Sequence, residues 1–170
     1  MAHKILRTKG SAAFIDRLLK LVPQYRKDVG HQAEVVATRL FARIVSNTPY
    51  DTGNAQHSWD IEASPGVDMD NKIMDIQVAI DTDYSAYDAQ RGTKADRQTS
   101  KMSFSAGLQK ASHIRGQGID GPMRVNIRSE GAPYVERLER GSSDQAPRGY
   151  IRLAVKDAGS ELSRKLKRIL

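Results

Sequence analysis

Residues 130–155 read EGAPYVERLERGSSDQAPRGYIRLAV, and the order of elements in the fold unpacks from this stretch. Gly131-Ala132-Pro133 ends whatever precedes it, because proline has no N–H to donate and fixes φ. Tyr134, Val135 and Leu138 stand at helical spacing among Glu136, Arg137, Glu139 and Arg140, which predicts a short half-buried helix. Gly141 is placed to close that helix in a left-handed conformation. Ser142, Ser143 and Asp144 form a polar connection. Pro147 falls where a first-turn proline is tolerated, and an amphipathic helix is expected from there to Leu170. The segment holds no catalytic constellation; it sets a loop and a helix against something else.

Outward toward the C-terminus, Ile151, Ala154, Val155, Ala158, Leu162, Leu166 and Ile169 make one apolar stripe. Arg148, Arg152, Lys156, Arg164, Lys165, Lys167 and Arg168 face the other way, against Asp157 and Glu161. Cations at the end of a helix complement its dipole. They also suit phosphate or an acidic partner, although a core stripe backed by a solvated face accounts for most of them.

Outward toward the N-terminus, Met123, Val125 and Ile127 alternate as a half-buried strand does. Residues 83–122 are the least regular part and are expected as an inserted loop that orders on assembly, with a short helix over 106–114. Their basic side chains Arg91, Lys94, Arg97 and Lys101, together with Arg164, Lys165, Lys167 and Arg168 of the last helix, are the candidates for contact with DNA or an acidic partner. Two further strands are predicted. Trp59, Ile61 and Ala63 alternate over 58–63, and Met74, Ile76, Val78 and Ile80 alternate over 72–81. The connection at 64–71 has hairpin composition. Asp68 and Asp70 within it lack the further ligands of a calcium loop.

Before the strands, Val29, Ala33, Val36, Ala37, Leu40, Phe41 and Ile44 recur at three- and four-residue steps, so a long helix is expected over 24–46 to cover the sheet. Gly30 costs that helix about 1 kcal/mol against alanine. Pro49 stops it, and Asp51 and Gly53 are turn formers. Phe14, Leu18, Leu19 and Val22 predict a shorter helix over 11–22, after a loose arm at 1–10. The fold class is therefore α+β: a small, mostly antiparallel sheet packed by a long helix and a C-terminal helix, in a single domain spanning 1–170.

Composition bounds the chemistry. The 170 residues contain no cysteine, which excludes thiol catalysis and cysteine-ligated metal. His3, His31, His57 and His113 are scattered, with no paired ligand spacing. There is no phosphate-binding loop and no nucleophile elbow. Catalysis, cofactors and metal are not expected, and neither are a membrane span or a secretory signal. The net charge of +7 fits either a solvated basic surface or a nucleic-acid partner, and the absence of a dense basic run favours the former.

Two segments together resemble a known family. Thr48-Pro49-Tyr50-Asp51-Thr52-Gly53-Asn54, at the end of a long helix, is similar to that family's P-x-D-T-G turn. Ala132-Pro133-Tyr134, Leu138-Glu139-Arg140-Gly141-Ser142-Ser143 and Ala146-Pro147-Arg148-Gly149-Tyr150-Ile151-Arg152-Leu153-Ala154 resemble its second motif. Ser142 stands where threonine is commoner, and Gly149-Tyr150 where Pro-Phe is commoner. The family is that of the tail-component, or tail-completion and neck, proteins of long-tailed bacteriophages. The resemblance implies a non-enzymatic virion protein, assembled in the host cytoplasm, that forms a ring at the head–tail junction or the top of the tail. Sixfold symmetry is favoured, with twelvefold the alternative. Implied partners are copies of itself, neighbouring neck, tail-terminator or tail-tube proteins, and weakly the DNA in the channel. Pro49, Asp51, Thr52 and Gly53 would hold one turn; Tyr134, Gly141, Pro147 and Arg152 would fix the loop entering the last helix. A sequence-nonspecific nucleic-acid-binding module is the alternative suggested by charge alone.

Overall fold

The computed structural model describes residues 23–49, 54–66, 69, 72–80, 101–129, 134–141 and 148–169. Helix α1 spans Pro23–Asn47, one residue beyond the expected helix at each end. Proline opens it, at a position whose N–H would have no helical partner. Val29, Ala33, Val36, Ala37, Leu40, Phe41 and Ile44 are all buried, and so are Ala42 and Val45. The wider stripe reflects neighbours on more than one side: α1 packs against both the C-terminal helix and a helix of the 101–122 segment.

A short helix, α2 (Asn54–His57), leads into β1 (Trp59–Pro65). Strand β2 covers Met74–Ile80 and β3 covers Met123–Ser129. The strand order is β1-β3-β2, with β3 antiparallel to β1 and parallel to β2. The fold is α+β as expected, and the three-stranded sheet is mixed, with one ladder of each kind. Trp59, Ile61, Met74, Ile76, Val78, Met123, Val125 and Ile127 turn inward. Asp60, Glu62, Asp75, Gln77, Arg124, Asn126 and Arg128 occupy the alternate positions. There Asp60 lies opposite Arg128, and Asp75 opposite Arg124, pairings of opposite charge that favour this register.

The expectation of a hairpin at 64–71 is corrected. β1 and β2 do not pair, because β3 enters between them. The backbone records the insertion: Gly66 N donates to Pro122 O (2.8 Å) and Met123 N donates to Ile73 O (2.9 Å). Alternation reports that a strand has one buried face, not which strand lies beside it.

The parallel β2–β3 pair requires a long crossover, and residues 101–122 supply its described part. Helix α3 (Phe104–Lys110) and a 3₁₀ turn, η1 (Ala111–Ile114), lie within it. Met102, Ala111, Ile114 and Ile119 are buried in the same core as α1 and the sheet. This half of the segment is thus ordered by the chain itself rather than awaiting a partner. Its contact with α1 runs through Gly107, where an added Cβ would stand 2.8 Å from Ala42 Cα. A helix that packs through glycine leaves little apolar signal. Residues 83–100, with Arg91, Lys94 and Arg97, lie outside the described residues, as do 1–22.

Helix α4 (Tyr134–Arg140) ends at Gly141 with φ of 77°, the left-handed closure expected there. Helix α5 (Tyr150–Leu166) begins three residues after Pro147, later than the first-turn role expected of that proline, which itself lies outside the described residues. Gly149, at φ 72°, is the residue that leads into it.

Gly30 tests the packing of α1. A Cβ there would lie 1.9 Å from the carbonyl oxygen of Ile119, so backbone must move to accept it. Helix propensity alone makes Gly30→Ala stabilising by about 1 kcal/mol. Overpacking against backbone costs about 1–3 kcal/mol, so the net change is destabilising, by up to about 2 kcal/mol. A lowered urea midpoint is expected, and a raised one would contradict this contact.

Candidate functional site

The two segments that carry the family resemblance converge on Thr48. Its backbone N–H and its hydroxyl both donate to Ile44 O, at 3.0 and 2.8 Å, closing α1. A hydroxyl has one proton and two lone pairs. With the proton directed at Ile44, the oxygen accepts the indole N–H of Trp59 at 2.9 Å. The hydroxyl of Tyr150 lies 3.4 Å from the same oxygen. Gln56 completes the node: its Nε2 donates to Thr48 O at 2.7 Å, and its Oε1 accepts the N–H of Met102 at 2.8 Å. Thr48, Gln56, Trp59 and Tyr150 are each at most 2% exposed. The node therefore ties the end of α1, α2, β1, the crossover and the start of α5 in a place water does not reach. Pro49 is described and half-buried beside it; Asp51, Thr52 and Gly53 lie outside the described residues.

The second motif builds a helix cap. Gly149 offers α5 no side chain, so the first N–H groups of that helix need an outside acceptor. Glu139 of α4 provides it. Its carboxylate accepts Ile151 N at 2.8 Å and Arg152 N at 3.3 Å, and its backbone carbonyl accepts Gly149 N at 2.9 Å. A negative charge at the positive end of a helix is favourable. Arg152 Nε pairs with the same carboxylate at 3.3 Å. Gly141 permits the close return of the chain, since a Cβ there would meet the Arg148 side chain at 2.8 Å. Gly141 and Arg152, two residues assigned to this loop from the sequence, are thus brought together around Glu139. The Tyr134 side chain and Pro147 lie outside the described residues.

The outer edge of β1 is closed by side chains from the crossover. Lys110 Nζ donates to the carbonyls of His57 (2.9 Å) and Trp59. His113 Nε2 lies 2.9 Å from Ile61 O, and Nδ1 lies 3.0 Å from Lys110 O. An edge strand with unpaired carbonyls invites association, and here a lysine and a histidine occupy them.

The basic candidates separate by environment. Lys165 donates to Gln32 Oε1 at 3.0 Å and is tied to α1. Arg164, Lys167, Arg168 and Lys101 are exposed. Of the two acids of α5, Glu161 is buried against α1, pairing with Arg39 at 2.6 Å and Arg43 at 3.4 Å, whereas Asp157 is exposed and lies 4.0 Å from Arg43. Sequence reasoning does not single out Gln56 or Lys110, and it includes Glu139 only as a member of the second motif, with no role assigned. Glu139 carries one signal, a glutamate in the last turn before the closing glycine.

Among the described residues, no group of three or more metal-ligating side chains comes together, and no helix is long and apolar enough to cross a membrane. No family model, curated protein or solved structure matches this chain.

Burial holds the Lys110 ammonium below its ordinary value of 10.5, with the charge of Asp60 acting in the opposite direction. Between that lowered value and 10.5 the unfolded chain binds more protons than the folded one, so stability rises with pH in that window. Lys110→Met removes this slope. The difference in urea midpoint, wild type minus variant, is expected to grow as pH climbs toward 10.5. A difference that stays flat with pH would contradict a desolvated Lys110.

Proposed function

We propose that this chain is a non-catalytic structural subunit of a bacteriophage particle, of the class that assembles into rings. More particularly, we assign it to the head–tail junction or the top of the tail, where it joins tail to head around the DNA channel. The observation that carries this reading is the convergence of the two motif segments. The turn after α1 and the entry to α5, separated by about one hundred residues, meet at Thr48 and Tyr150 in a fully buried contact. Motif residues that serve as joints of the fold are what a structural protein requires; an enzyme's motifs converge instead on an accessible cleft.

A ring of identical subunits uses two different surfaces, each copy presenting one to the next. The polar sheet face around Asp60, Glu62 and Arg128 is one surface available for such a contact. Sixfold closure is the expected symmetry, to match the tail, and twelvefold would match the head side.

Cryo-electron microscopy of particles containing this protein tests the assignment. Ring density between capsid and tail into which this fold docks is the expected result. Absence of the chain from every purified particle would overturn it.

A further inference from the structure

We propose that the outward face of α5 is a surface for the sugar–phosphate backbone of duplex DNA, bound without regard to sequence. The inference rests on the junction reading only for the DNA this chain would meet; its grounds lie in the helix itself.

Lys156, Arg164, Lys167 and Arg168 are all exposed and are spaced along one side of α5 and the turn that ends it. Of the two acids on this helix, Glu161 is buried and paired with Arg39 and Arg43. Asp157 stays exposed, 4.0 Å from Arg43. The outward side therefore carries four exposed cations against one exposed acid, a ridge of net positive charge. Arg152 carries it into the first turn of the helix, although its guanidinium is shared with Glu139, and Arg148 lies just before the N-terminal end.

The residues between the cations decide what the ridge fits. Ser160 and Ser163 donate their hydroxyls back to Lys156 O (3.1 Å) and Gly159 O (2.9 Å). They therefore add little relief and have no free proton for a partner. Leu153, at 52% exposure, is the one large apolar side chain on this helix face. A protein–protein interface centres on buried aromatic or aliphatic anchors, and this ridge has none along its C-terminal half. From Lys156 to Arg168 the helix rises about 18 Å, a length over which duplex DNA presents roughly ten phosphate charges. Flexible cations on a smooth helical rod match that partner better than an acidic protein surface, and they carry no group that reads a base edge.

The test is fluorescence anisotropy of the full chain with labelled duplexes of about 30 base pairs, in two unrelated sequences, across roughly 50–200 mM KCl. The two sequences are expected to bind alike, with log affinity falling against log salt at a slope of about −3.6 for four phosphate contacts. The variant carrying Lys156→Gln, Arg164→Gln, Lys167→Gln and Arg168→Gln should lose at least about tenfold in affinity and most of the slope. Should that variant unfold, Arg164→Gln and Lys167→Gln singly should each lower the slope by about one. Lys101→Gln with Arg128→Gln, two exposed cations off α5, should change neither quantity. Undiminished binding by the α5 variants, equal affinity for poly-glutamate, or no binding at the lowest salt would each overturn the proposal. Ring formation is read separately in particles. A chain that binds DNA through α5 yet is missing from particles loses the junction assignment alone, and a ring subunit without this salt dependence loses the DNA surface alone.

Discussion

The indole N–H of Trp59 resting on the hydroxyl of Thr48 is the contact on which the remaining geometry depends. It joins the end of the long helix to the first residue of the edge strand. Gln56 extends the junction to the crossover, and Tyr150 extends it to the C-terminal helix. None of these groups is accessible to water, so each must find its partner inside the protein. A buried donor left without one costs about 1–3 kcal/mol, against a total stability of about 5–15 kcal/mol for a domain of this kind. A node of this type fixes where five segments meet more sharply than apolar packing alone, because hydrogen bonds tolerate little displacement.

The remaining polar interior follows the same logic at smaller scale. Glu139 caps a helix whose own capping position is glycine. Lys110 and His113 occupy the carbonyls of a strand edge. Arg39 and Arg43 hold Glu161 of α5 against α1. The last two devices join elements distant in the chain, and the first ties two consecutive helices together. What stays outside is the alternating polar face of the sheet and the basic side of α5, and these are the surfaces left for assembly and for DNA.

Periodicity makes the main helices and the strands legible in the sequence. The stripe from Val29 to Ile44 and the alternations at 59–63, 74–80 and 123–127 each appear as the element they predict. Gly141 also closes its helix as its position requires. Pairing is not legible, since β1 and β2 alternate in the same way whether they are neighbours or flank β3. The crossover is hidden for a related reason: α3 meets α1 through Gly107, which adds nothing to an apolar pattern. The candidate site is half visible. Thr48, Gly141 and Arg152 stand in motifs, whereas Gln56 and Lys110 matter through backbone groups they reach across the fold, and no local spacing encodes that. Lys165 looks like its basic neighbours in the sequence, and only its bond to Gln32 sets it apart.

The most direct test of the account is a double-mutant cycle between Thr48 and Trp59, read as unfolding free energy in urea. Thr48→Val leaves the indole N–H without an acceptor and is expected to cost about 2 kcal/mol. With Trp59→Phe already in place there is no indole N–H to strand, so the added cost of Thr48→Val should fall by about 1 kcal/mol or more. Strictly additive losses would show that the two residues act independently and would contradict the central role given to this contact.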